Sequence, residues 1–312
     1  MKFSYEEFDL SGVRTYPLAS RVSKAKASDF GRPFKGDAGV AFVDSLPSIL
    51  GGGDLKAIAA AMRTARDGGW GLIWGIGAHV IKTGLAPVLI DLMERGYICA
   101  LATNGAGVIH DFEVALSGAT SEDVDEALGP GRFGMAEETG RDLNGAINAG
   151  VARGMGFGQS VVDYLHRVQP PFAGVSLLAA AARLEIPVTV HVGLGTDIIH
   201  MHKDASGAAI GEGSLRDFRY FVSNVARLEH GVYVNCGSAV LLPEVFLIAV
   251  ALARNTGRSL QGLTTVNMDF MRHYRTQTNV VTRPVAGIGK GYSLVGHHEI
   301  LIPLLAAALA DK

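Results

Sequence analysis

Residues 98–113 read ICALATNGAGVIHDFE. An apolar run from Ile98 to Ala102 breaks into Thr103-Asn104-Gly105-Ala106-Gly107, and His110 and Asp111 follow. A buried parallel strand that ends in small residues lets its backbone approach a ligand closely, and the turn after such a strand is where doubly wound α/β sheets bind nucleotides. On this reading the turn touches a cofactor, and the polar pair beyond it stands at the rim of the cleft as acid and base.

The same alternation extends outward on both sides. Val40–Val43 and Trp70–Trp74 read as strands, and Asp54 caps a helix that runs to Asp67. Thr83–Arg95 reads as a helix with Leu85, Val88, Leu89 and Leu92 on one face and Gly96 as its stop. Residues 121–184 turn helical, with Ser121-Glu122-Asp123 as a start signal. Strand runs resume at Val188, Val232, Leu263 and Tyr292, separated by helical runs, and Glu299–Ala310 reads as a closing helix. Strands alternating with helices predict an α/β fold with a parallel Rossmann-like sheet and helices on both faces. The expected organisation is an N-terminal arm or lid over 1–40, then a single nucleotide-binding domain over 41–312 with a helical insertion around 121–184.

The 312 residues suffice for one large core, and 48% hydrophobic against 19% charged residues lies in the globular range. A net charge of −2 without a basic tract argues against a nucleic-acid partner. Cys99 and Cys236 sit in apolar runs and read as buried thiols. No apolar run reaches membrane-spanning length and MKFSYEEFDL lacks the apolar core of a signal peptide, so a cytoplasmic, reducing setting is expected.

Four candidate strand ends carry small or polar residues: Gly75-Ile76-Gly77-Ala78-His79, the Thr103–Gly107 turn, Gly193-Leu194-Gly195-Thr196-Asp197, and Asn235-Cys236-Gly237-Ser238. In a parallel sheet these ends converge on one crevice. Gly75, Gly77, Gly105, Gly107, Gly237 and Ser238 are therefore candidate cofactor contacts. Thr83-Gly84, read as a helix start, offers a hydroxyl and backbone N–H groups to a phosphate. Neither GxGxxG after the first strand nor GxxxxGK[ST] occurs. His191, Asp197, His200 and His202 lie close in sequence and form an alternative metal cluster. Lys290, in Gly289-Lys290-Gly291, has free access and is a candidate for Schiff-base or charge-stabilising chemistry. His297-His298 precede the last helix and read as its cap.

The order WGIGAHVIKTG, ATNGAGVIHD, GTDIIHMH and HHEILIPLLAAAL resembles deoxyhypusine synthase, across roughly residues 70–310 with a long central gap. The resemblance implies a sheet like that of deoxyhypusine synthase and the sirtuins, NAD as cofactor, and a homotetramer with sites at subunit interfaces. It places His79 and Thr83 at the NAD, matches Thr103, Asn104, Gly105 and Ala106 to the family's Thr-Thr-Ala-Gly turn, and matches Asp197 to an acidic residue that holds the polyamine. The chain departs from the family where Ile109-His110 replaces two carboxylates and where Pro243-Glu244 replaces paired histidines. The expectation is an NAD-binding, transferase-type enzyme acting on a small amine or amino-acid-like molecule other than spermidine, with His110, Asp111, Asp197 and Lys290 as catalytic candidates. Two other readings stay open: a non-catalytic nucleotide-binding or regulatory protein, and a metal-dependent hydrolase.

Overall fold

Strands β1 (Ser23–Lys26), β2 (Leu72–Ile76), β3 (Ala100–Asn104), β4 (Ala119–Glu122), β5 (Val188–His191), β6 (Val232–Cys236), β7 (Thr264–Asp269) and β8 (Lys290–Val295) are joined mainly by helices in a computed structural model. It describes residues 10–310 other than 34 and 37, so the first nine residues of the expected arm lie outside the described residues. Six strands form one all-parallel sheet in the order β5-β3-β2-β6-β7-β8. The chain runs from β2 outward to β5, then returns to the other side of β2 and runs outward to β8. This is the Rossmann-like, doubly wound order, and its direction reverses between β2 and β6.

Alternation along the strands divides the core in two. Leu72, Trp74 and Ile76 of β2 and Leu101 of β3 enter one cluster with the helices Leu50–Asp67, Ala86–Glu94 and His298–Ala308. Ile73, Ala100 and Ala102 face the other cluster, where the Tyr233 and Phe246 rings stack at 3.7 Å. Burial on both faces is why these strands read as continuous apolar runs.

Local signals misled in several places: Asp54 lies inside the helix Leu50–Asp67 and does not cap it, and Cys99 is exposed rather than buried. Val40–Val43 belongs to a helix, Ala38–Ser45, and buries Gly39, Val40 and Val43 on one side. A four-residue apolar run fits either period, and packing against the C-terminal helix decides. Ser121 and Glu122 finish β4, and only Asp123 caps the next helix, Val124–Leu128. That strand pairs antiparallel with β1, Ala25 opposite Thr120. Three longer helices, Glu137–Ala152, Phe157–Val168 and Leu177–Arg183, then lead to β5. No helix among the described residues is long and apolar enough to cross a membrane.

The open edge of β5 is closed by side chains rather than by another strand. Asp217 Oδ2 accepts from the N–H groups of Val190 (2.8 Å) and Gly158 (2.7 Å), and Ser214 donates to the Val190 carbonyl. Burial raises the Asp217 carboxyl from 3.8 to about 7. Asp217→Ala leaves two buried N–H groups unpaired, each costing about 1–3 kcal/mol, so denaturant titration should show a loss on the order of 2–6 kcal/mol. Because the folded-state pKa lies above the unfolded one, the stabilisation by neutral Asp217 is complete below pH 3.8 and fades as pH rises through about 7. Melting temperature should therefore fall less between pH 5 and pH 8 in Asp217→Asn than in the parent protein.

Candidate active site at the carboxyl ends of the sheet

The turn after β3 is shaped by protein groups. Asn104 caps the helix Gly105–Ser117 by accepting from Gly107 N–H at 2.9 Å, and Thr103 donates to the Ile76 carbonyl at 3.0 Å. Asp197 arrives from the loop after β5 and accepts from Ala106 N–H. A Cβ at Gly105 would collide with Asp197 Oδ2, and one at Gly107 with Thr103 Oγ1. These glycines make room for a carboxylate and a hydroxyl of the chain itself. Asp197 occupies the anion-favouring helix N-terminus. Burial still raises its carboxyl to about 6. Nearby, His200 Nδ1 accepts from Gly195 and Asp197 N–H groups, so Nε2 carries the ring proton and faces Asp197 Oδ2 at 4.0 Å.

Asp197 lines a cavity of about 240 Å³ together with Lys82, Ala106, Ile109, His110 and Ile198. On its inner wall, Arg21 forms a bidentate pair with Glu113 (2.8 and 2.7 Å), with both side chains buried. Glu113 also accepts from Thr120 (2.5 Å) and Thr139 (3.1 Å). His110 Nδ1 meets Thr120 Oγ1 at 2.7 Å. Burial, helped by Lys82 and Arg21 and opposed by Glu113, holds His110 down at about 4, so the imidazole is neutral at pH 7.

A second cluster stands where the strand order reverses. Gly77 N–H donates to the Cys236 carbonyl at 2.9 Å, and a Cβ at Gly77 would strike the Gly237 carbonyl. His79, Phe270 and His298 converge beside this contact, with His79 and His298 rings 5.4 Å apart. Burial, reinforced by His298, lowers the His79 pKa. His298 is fully buried; Nε2 donates to the Met268 carbonyl and leaves Nδ1 as an acceptor without a partner. Asn235 donates to Ser238 and Asn267 and leaves Oδ1 unpartnered. The Ser238 hydroxyl accepts from Leu242 N–H.

Other candidates lie elsewhere. Asp111 is fully buried; its oxygens accept from Ser176 and from Leu177 and Leu178 N–H, anchoring the helix Leu177–Arg183. Lys290 begins β8 opposite Thr264, at the amino end of the sheet and away from the cavity. Thr83 terminates the helix Ala78–Lys82 rather than starting one, and Gly84 packs on Phe30, so the expected phosphate contact is replaced by a C-cap. Gly75 packs against the Tyr233 hydroxyl inside the sheet. The metal cluster disperses: His191 packs on Phe221, and His202 Nε2 bonds the Gly134 carbonyl. Among the described residues no group of three or more His, Cys, Asp or Glu side chains could hold a metal ion. Sequence reasoning missed Arg21, Glu113, Thr120, Asn235 and His298 as site residues. Glu113, one helical turn beyond His110, and Asn235, in one of the four small or polar strand ends, left a local signal.

The strand order and crevice define a Rossmann-like α/β protein. No protein-family model and no curated protein sequence matches the chain. Among solved structures it is similar to ArgZ, an arginine dihydrolase from the ornithine-ammonia cycle in cyanobacteria, with a TM-score of 0.51 and 18% identity over 82% of this chain and 32% of that one. The ternary complex of AgrE with ornithine and NAD+ matches at 0.51 and 15%, over 88% of this chain and 34% of AgrE. A protein described as LOR/SDH from Methanococcus maripaludis S2 matches at 0.51 and 18%, over 89% of this chain and 73% of that one. The chain therefore spans about a third of ArgZ and AgrE, and at these identities the likeness shows the fold. A protein described as a deoxyhypusine synthase, from Entamoeba histolytica, matches at 0.45 and 11% identity, too weakly to carry an argument.

Gly105→Val tests what the turn is built around. Forcing a side chain against Asp197 should cost about 1–3 kcal/mol by overpacking, read by denaturant melts without any nucleotide, and Asp197→Ala should relieve part of it. A glycine kept for a cofactor alone would show no cost in the ligand-free protein.

Proposed function

We propose that the chain is an NAD-binding enzyme acting on a small amino-acid-like substrate in the cavity beside β3 and β5. The observation that carries this reading is the meeting in one cavity of a neutral imidazole, His110, with a buried carboxyl, Asp197. The complex of AgrE with ornithine and NAD+ supports it through the shared fold.

The crevice fits a dinucleotide in chemistry. Asn235 Oδ1 and His298 Nδ1 are buried acceptors without partners, and they match the hydroxyl and carboxamide donors of NAD. Asn235, Ser238, His298 and His79 would hold it, and the N-terminus of the Gly105–Ser117 helix, already filled by Asp197, would not. When bound, NAD supplies a hydride acceptor. Asp197 anchors the substrate's ammonium group, Lys82 at the cavity wall attracts its carboxylate, and His110 takes a proton from the amine at Nε2. A transferase of deoxyhypusine synthase type is disfavoured, because two of the three cavity carboxylates are already engaged, Glu113 by Arg21 and Glu122 by Tyr16 and Gly134 N–H, which weakens attraction for a polyamine, and Lys290 begins at the other end of the sheet. We read the molecule as one α/β domain with an N-terminal arm, assembled as a homo-oligomer, a tetramer by the motif resemblance, and working in the reducing cytoplasm. Light scattering that gives a monomer at micromolar concentration would refute that assembly.

Calorimetry should show NAD binding, and with NAD present an α-amino acid such as ornithine or arginine should raise the melting temperature more than spermidine. His110→Ala should lower turnover by roughly 10²-fold or more, the range for a positioned base. Affinity for the ammonium-bearing substrate should rise as pH passes upward through about 6, where Asp197 ionises. Absence of NAD binding overturns the reading. NAD binding without turnover of any amino acid favours a regulatory nucleotide-binding protein.

A further inference from the structure

The wall behind His110 holds more hydrogen-bonding order than packing requires. Glu113 receives four donors: two guanidinium N–H groups of Arg21, at 2.8 and 2.7 Å, and the hydroxyls of Thr120 and Thr139, at 2.5 and 3.1 Å. A carboxylate has about four lone-pair sites, so Glu113 is saturated and has no proton to give. Thr120 has a single hydroxyl proton, and the contact to Glu113 uses it. The 2.7 Å contact between Thr120 Oγ1 and His110 Nδ1 therefore runs from the ring to the hydroxyl. A neutral imidazole carries one ring proton, which is now placed on Nδ1. Nε2 is left with its lone pair and has no hydrogen-bond partner among the described residues.

We propose that Thr120 and Glu113 are positioning residues that hold His110 in the Nδ1–H tautomer with Nε2 bare toward the cavity, and that Arg21 locks this chain from the N-terminal segment. The inference rests on the base role proposed for His110 and adds the device that makes the ring a base in the resting protein. With the opposite tautomer, Nε2 would present a proton to the cavity and could accept none. The fold supplies the geometry in pieces. His110 and Glu113 lie one turn apart on the helix Gly105–Ser117, Thr120 sits on β4 after the Gly118 reversal, and β1 pairing sets Ala25 opposite Thr120, a few residues from Arg21. The charged groups facing His110 are Glu113, Lys82 and Arg21. When Nε2 takes a proton, Glu113 is the one anion among them and stabilises the imidazolium through Thr120.

The test is long-range ¹H–¹⁵N NMR of the histidine-labelled full chain, with the His110 signals assigned by their loss in His110→Gln. The parent protein should show Nδ1 protonated and Nε2 bare. Thr120→Val, which keeps the shape and deletes the hydroxyl, should shift the ring toward a mixture of tautomers, and Thr120→Ser should restore the parent pattern. Glu113→Gln tests the same link from its other end and should also mix the tautomers, with melting curves on each variant to separate loss of fold from loss of tautomer. In turnover with NAD and an amino acid, Thr120→Val should lower kcat about tenfold or more with little change in KM, and Thr120→Ser should recover it. A parent His110 protonated at Nε2, or a folded Thr120→Val with an unchanged tautomer, overturns the proposal. A fixed Nδ1–H tautomer that Thr120→Val abolishes supports it even if no amino acid is turned over; that second result would instead overturn the functional reading on which the base role depends.

Discussion

The ion pair between Arg21 and Glu113 is the constraint around which the cavity side of the molecule is organised. Two charges buried together cost more in lost hydration than their attraction returns, unless geometry and additional hydrogen bonds complete both shells. Here the pair is bidentate and Thr120 and Thr139 fill the remaining carboxylate sites. Meeting that requirement ties four parts of the chain together: the segment before β1, the Gly105–Ser117 helix, β4, and the Glu137–Ala152 helix. The β1–β4 pairing and the cavity wall both follow from it.

Asp197 imposes a comparable order on the other side of the cavity. A carboxylate at a helix N-terminus is favoured by the helix dipole and by its hydrogen bond from Ala106, yet it is buried deeply enough for its pKa to be raised. The outcome is a carboxyl whose titration is pushed up to about 6, facing a cavity, with one oxygen left unpartnered. Asp111 and Asp217 are also raised by burial; Asp111 spends both oxygens on Ser176 and the N–H groups of Leu177 and Leu178, and Asp217 spends Oδ2 on two backbone N–H groups and, like Asp197, leaves its other oxygen unpartnered. Similar shifts therefore accompany different surroundings, and what sets Asp197 apart is the cavity that it lines.

The reversal of strand order between β2 and β6 positions the remaining chemistry. Parallel neighbours leave their carboxyl ends side by side there, with Gly77 and Gly237 close enough for backbone contact. The unpaired acceptors of Asn235 and His298 sit in that crevice rather than at the β3 turn. The polar groups of the two clusters are thereby divided between two adjacent pairs of strands, with Lys82 and His79 carried between them on the short helix after β2.

The sequence determined the alternation of strands and helices, because parallel strands buried on both faces require apolar runs such as Leu72–Trp74 and Val232–Val234. It also determined that small residues end those strands, and it marked His110 and Asp197 as cleft residues through their positions just beyond them. It could not tell Val40–Val43 from a helix, since so short a run has no readable period. It could not assign the glycines at 105 and 107 to Asp197 and Thr103, since local sequence does not say what approaches a bare Cα. Tertiary structure alone decided that Asp111 anchors a distant helix, that Lys290 stands at the far end of the sheet, and that His191, His200 and His202 part company. It alone also brought Arg21 and Thr120 to Glu113 and His110. Residues 92 positions apart in the chain meet there because burying a charge demands a partner, and the fold determines which one is within reach.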